Sequence, residues 1–107
     1  MTMPRRDLGN FELMVLLALI RLEDEAYGLP ISEEIARRSG REVALGSVYA
    51  ALDRLHKRGL VTSRLGSPTP ERGGRAKRYF RVTANGIREV RETQRALLKL
   101  WDGLPAI

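Results

Sequence analysis

Cysteine is absent from this chain, and histidine occurs once. Without thiols there is no disulfide scaffold, no cysteine-based zinc finger and no thiol nucleophile. A single histidine with no cysteine also removes the usual protein-only zinc sites, so no metal and no cofactor is expected. Long hydrophobic runs are missing as well. The apolar run Leu13 to Ile20 is much shorter than the roughly 20 residues needed to cross a bilayer, and no clean basic segment precedes it. The expectation is a soluble, cytoplasmic chain with no membrane partner.

What is present fits one small domain. The chain has 107 residues, 43% of them hydrophobic, enough for a packed core without covalent staples. Lys and Arg number 19 against 13 Asp and Glu, for a net charge of +6. The charge is unevenly spread. Residues 1–53 carry 6 basic and 9 acidic side chains, whereas residues 54–107 carry 13 basic and 4 acidic ones. A basic half points to a polyanionic partner, nucleic acid before membrane surface. The competing explanation is a solubilising surface.

Hydrophobic spacing orders the elements. Asn10 can cap a first helix whose residues Phe11, Leu13, Met14, Leu16, Leu17, Leu19, Ile20 and Leu22 leave little polar face. Such a helix asks for cover on more than one side, from a second subunit or from the monomer core. After the solvated run Glu23-Asp24-Glu25, Tyr27-Gly28 opens a second helix with Pro30 in its first turn and Ser39-Gly40 at its end. Gly46-Ser47 starts a third helix, with either residue as cap. Its inner face is Val48, Ala51, Leu52 and Leu55, and its outer face carries Ala50, Asp53, Arg54 and Lys57. Residues 60–65 and 77–82 read as strands joined by a Gly/Pro-rich, basic loop, hence a β-hairpin. Thr83 then caps a last helix, although Asn85-Gly86 also suits a turn. There, Ile87, Val90, Gln94, Leu97, Trp101 and Leu104 are spaced 3, 4, 3, 4 and 3, the seam of a helix that needs a partner helix. That partner is either another subunit or the chain's own domain.

Three helices, a hairpin with a basic loop and a final helix make a mainly α fold: a winged helix-turn-helix in residues 1–83 and a C-terminal dimerisation helix in residues 84–107. The third helix would enter the major groove. Gly46, Ser47 and Ala50 are small enough for close approach, and Arg54 and Lys57 can reach phosphates or guanine. Taken alone, Arg54 and Lys57 also fit a solvated face with an Asp53–Lys57 pair. The wing places Arg72, Arg75, Lys77 and Arg78 around Gly73-Gly74, with Arg64 and Arg81 on the strands, suited to double-stranded DNA. No catalytic set is visible. His56 lies between Leu55 and Lys57 as a half-buried flank of the third helix, with no Ser, Asp or Glu in a recognisable partner arrangement. A winged helix can also serve as a protein–protein adaptor without DNA binding, which salt-dependent duplex binding would distinguish.

Several segments together resemble the PadR family of bacterial transcriptional regulators. They are residues 27–31 (YGLPI), 45–55 (LGSVYAALDRL), 57–61 (KRGLV) and 74–86 (GRAKRYFRVTANG). The resemblance covers roughly residues 8–90. It implies a winged-helix homodimer, usually a repressor, on a near-palindromic operator. It also implies that the helix bearing Ser47, Tyr49 and Arg54 lies on DNA, with the wing around Arg75 and Lys77 on adjacent phosphates or in the minor groove. Dimerisation falls to the C-terminal helix packed against the partner's first helix, so Phe11, Met14 and Leu17 join Ile87, Val90, Gln94, Leu97, Trp101 and Leu104 as interface candidates. Larger members carry a multi-helix C-terminal domain. This chain ends after one helix, as in the small subfamily, and Pro30 departs from the residues more usual at its position. Some small members bind flat aromatic or cationic effectors between interface tryptophans. Trp101, the one tryptophan here, is either such a site or a packing residue.

Overall fold

The computed structural model describes residues 8–67 and 76–106. Among these residues the order is α1 (Asn10–Leu22), a 3-10 turn (Glu23–Glu25), α2 (Gly28–Ser39), α3 (Leu45–Lys57), β1 (Val61–Leu65), β2 (Arg78–Val82) and α4 (Ala84–Trp101). β1 and β2 pair antiparallel, Val61 opposite Val82 and Leu65 opposite Arg78. This is the mainly helical winged-helix arrangement expected from the periodicities.

The core forms where α1, α2, α3 and the sheet converge. Val15, Leu16, Ala18 and Leu19 of α1 meet Ile31 and Ile35 of α2, and Val48, Ala51, Leu52 and Leu55 of α3. Leu60, Val61 and Phe80 close it from the hairpin. Full burial of each Leu, Ile, Val or Phe contributes about 1.5–3 kcal/mol, so these facing stripes dominate the favourable side of folding. Glu34 is the charged residue drawn into this layer. Its carboxylate accepts hydrogen bonds from Arg37 and Arg38, three and four residues and so about one turn ahead on the same helix face.

Three termini differ from expectation. Asn10 is the first residue of α1 rather than its cap, which is Gly9; the Glu12 carboxylate reaches back to the Gly9 N–H at 3.1 Å. α3 is capped by Ala44, so Gly46 and Ser47 lie inside its first turn. A side-chain oxygen is what makes a residue recognisable as a cap, and neither Gly9 nor Ala44 has one. α4 ends at Trp101, followed by Gly103 at φ 76°, so Leu104 continues the seam in sequence but not on the helix. The start of α4 follows the expectation, with Thr83 Oγ1 accepting the Gly86 N–H at 3.0 Å. Asn85-Gly86 is therefore helix, not turn.

α1 buries one side in this chain and leaves Leu17 44% and Ile20 41% exposed on another. The α4 seam is half-buried at Ile87 and Val90 and then leaves the body. Gln94 is exposed, as are Leu97 at 43% and Trp101 at 65%. Beyond Val90 the seam is thus not folded back onto its own domain.

Candidate nucleic-acid interface

The outer side of α3 gathers the expected reading residues. Gly46, Ser47, Tyr49, Ala50, Arg54 and Lys57 are all exposed, while Val48, Ala51, Leu52 and Leu55 face inward. Gly46, Ala50, Arg54 and Lys57 are spaced 4, 4 and 3, a single stripe along the helix. Its N-terminal half is small, Gly46 and Ala50 with Ser47 beside them and the exposed Leu45 and Tyr49 on the flank, and its C-terminal half is cationic. A helix of this shape is narrow enough for a major groove about 12 Å wide.

Each cation has a defined setting. Arg54 Nε lies 3.7 Å from Glu12 on α1, a partner with no signal in the local sequence. Lys57 pairs with Asp53 at 3.1 Å, the i, i+4 pair anticipated for a solvated face. The Lys57–Asp53 pair is largely in solvent, where such contacts are weak and yield to a stronger anion, whereas Glu12 is mostly covered and Arg54 half-exposed. Tyr49 is half-exposed, and its ring covers the start of α2: a Cβ on Gly28 would stand 2.5 Å from Tyr49 Cζ. His56 is exposed rather than half-buried, because it lies beyond Leu52 at the edge of the face that Val48, Ala51, Leu52 and Leu55 turn to the core.

The hairpin supplies the second cationic element. Lys77 and Arg78 are exposed, and Arg78 donates to Ser63 Oγ across the strands at 3.1 Å. Arg81 pairs with Asp24 of the 3-10 turn, so it braces the hairpin instead of standing free. Arg72, Arg75 and the glycines between them lie outside the described residues. Two tyrosines that the sequence did not single out, Tyr27 and Tyr79, stack edge to face at the base of the hairpin.

Residues 16–92 match the model of the transcriptional regulator PadR-like family, most of the chain and all of the wing. The chain belongs to this family. PadR-like regulators are DNA-binding proteins without enzymatic activity. The chain is 30% identical over 101 residues to an uncharacterized protein of Lysinibacillus sphaericus, covering 92% of this chain and 86% of that one. A PadR family transcriptional regulator of Eggerthella lenta is 30% identical, with a TM-score of 0.68 over 84% of this chain and 76% of that one. A PadR family regulator of Clostridium difficile, 20% identical, shares the fold at a TM-score of 0.70 over 86% of this chain and 91% of that one. No helix among the described residues is long and apolar enough to cross a membrane.

Proposed function

We propose that this PadR-like regulator binds a near-palindromic operator as a two-fold homodimer and represses transcription by occupying it. The observation that carries the dimer is the uncovered apolar surface on two elements. Leu17 and Ile20 of α1 and Leu97, Leu100 and Trp101 of α4 stand at 41–74% exposure. A monomer would leave them in water, whereas a two-fold partner laying its α4 across α1 covers both at once. Phe11 and Met14, half-buried on the core, border that surface, and Ile87, Val90 and Gln94 extend it toward the body. Residues 1–83 form the DNA-binding unit and residues 84–107 the dimerisation segment.

Within each unit, Gly46, Ser47 and Ala50 admit α3 to the base edges, and Tyr49, Arg54 and Lys57 flank them. Arg72, Arg75, Lys77 and Arg78 of the wing neutralise neighbouring phosphates. The two-fold axis places the two recognition helices on half-sites about one helical turn, roughly 34 Å, apart. Binding of duplex DNA should weaken steeply with salt, and light scattering should give twice the chain mass. A salt-independent or absent interaction with duplex DNA would favour a protein–protein adaptor instead.

Trp101 belongs to the same seam. Two indoles brought together by the axis would form a slot for a flat aromatic or cationic effector. Such a guest changes DNA affinity only through its differential affinity for two spacings of the recognition helices. Titration of a flat cationic dye tests this, with Trp101 quenching and a change in DNA affinity expected together. Quenching without that change, or no quenching, makes Trp101 a packing residue.

A further inference from the structure

The first residues of α2 touch both halves of the proposed DNA surface. Gly28 lies beneath the Tyr49 ring of α3. Tyr27, one residue earlier, reaches the wing. It forms an antiparallel bridge with Tyr79, and the Phe80 N–H donates to the Ala26 carbonyl at 2.8 Å, so the turn before α2 adds a short third edge to the hairpin. The two rings meet edge to face with centroids 5.4 Å apart. Each ring also carries a wing cation. Lys77 Nζ stands 4.4 Å over the Tyr27 ring and donates to its hydroxyl at 3.3 Å, and the Arg64 guanidinium lies 4.7 Å from the centre of the Tyr79 ring. Gly66 lets the wing backbone rest on Tyr79, because a Cβ there would meet Tyr79 Cε2 at 2.6 Å.

The geometry points to Tyr27 and Tyr79 as positioning residues for DNA binding: an aromatic clasp that orients Lys77 and Arg64 and holds the wing in register with the recognition helix. This rests on the DNA-binding surface proposed above. A two-stranded hairpin is marginal on its own, so contacts at its base decide its direction. Ring faces attract cations without neutralising them, and Lys77 and Arg64 remain exposed, so a phosphate can take the open side of each charge. Side chains held in place beforehand lose less freedom on binding than free ones. Because Tyr27 and Gly28 are adjacent, the wing and Tyr49 share one joint at the start of α2.

The test is a double-mutant cycle on the full chain, read by anisotropy with a mixed-sequence duplex of about 30 base pairs at low salt. Lys77→Ala should weaken binding about fivefold and Tyr27→Leu about as much, whereas Tyr27→Phe, which keeps the ring, should stay within about twofold of wild type. In the Tyr27→Leu background, Lys77→Ala should cost less than about twofold, since the lysine is already released. An equal Lys77→Ala loss in both backgrounds overturns the clasp while leaving the DNA surface intact. No effect of Lys77→Ala in wild type overturns the wing contact and the clasp with it. Failure of the wild-type chain to bind the duplex overturns the DNA-binding surface itself. Should Tyr27→Leu not fold, the wild-type chain still decides: Lys77 ε-methylene protons over a ring resonate upfield of those of Lys57 and Lys99, and ordinary shifts contradict the clasp.

Discussion

Replacing Gly86 with alanine should loosen α4 from the base of the wing. Gly86 is buried in the first turn of α4, and a Cβ there would press on the Leu60 carbonyl and stand 2.5 Å from Val82 Cγ1. The obstacle is backbone that is already committed. Leu60 O accepts the Thr83 N–H at 3.0 Å, and the Thr83 hydroxyl donates to Gly59 O at 2.8 Å. Neither α4 nor the start of β1 can yield without weakening those bonds. Overpacking of this kind costs about 1–3 kcal/mol. The better helix propensity of alanine offsets at most about 1 kcal/mol, and less in a first turn. The net loss of about 1.5 kcal/mol should lower the melting temperature by roughly 6–12 °C for a domain of this size. Gly46→Ala is the control. It is also a first-turn helical glycine, but a Cβ there meets nothing within 4 Å. It should hold or slightly raise the melting temperature. Thermal unfolding followed by circular dichroism, at one protein concentration because dimer stability depends on it, decides the matter. A Gly86→Ala chain that melts at or above wild type would refute the close packing of α4 on the wing base.

Further outcomes follow from the same geometry. Ala50→Glu puts a carboxylate at the centre of the α3 stripe, so it should abolish duplex binding while leaving the melting temperature near wild type; retained binding contradicts the docking. Lys77→Ala should flatten the dependence of log affinity on log salt by about one unit, measured by anisotropy, and an unchanged slope removes the wing from the phosphates. Leu97→Glu should shift light scattering from twice the chain mass toward one, because it buries a charge in the seam. Arg38 first and then Arg37 hold the Glu34 carboxyl below the ordinary 4.5, against the opposing effect of burial. The unfolded chain therefore takes up this proton more readily, so the contribution is full above the ordinary glutamate range and is lost as pH falls through and below it. Glu34→Gln should flatten the acid limb of a stability–pH curve, and an unaltered limb contradicts the ion cluster.

Much of this was legible because it is periodic or local. Val48, Ala51, Leu52 and Leu55 mark the buried face of α3 by spacing alone, and all four are buried. Thr83 announces α4 because its hydroxyl can accept the Gly86 N–H. The caps of α1 and α3 were hidden for the complementary reason. Gly9 and Ala44 bring no acceptor, and the Glu12 carboxylate serves Gly9 from inside the helix. Long-range partners left no trace at all. Lys77 and Tyr27 meet across fifty residues of sequence, and Arg54 finds Glu12 on another helix. Periodicity also carried the seam past Trp101 to Leu104, although the helix itself stops where Asp102 turns extended.

The most direct measurement is to sequence the genomic DNA fragments that the purified protein retains at moderate salt. A dimer with one α3 stripe per subunit should enrich an inverted repeat whose half-site centres lie about 10.5 base pairs apart, roughly 34 Å. Fragments that share only a single unrepeated half-site, or no motif at all, would contradict two symmetric recognition helices reading DNA together.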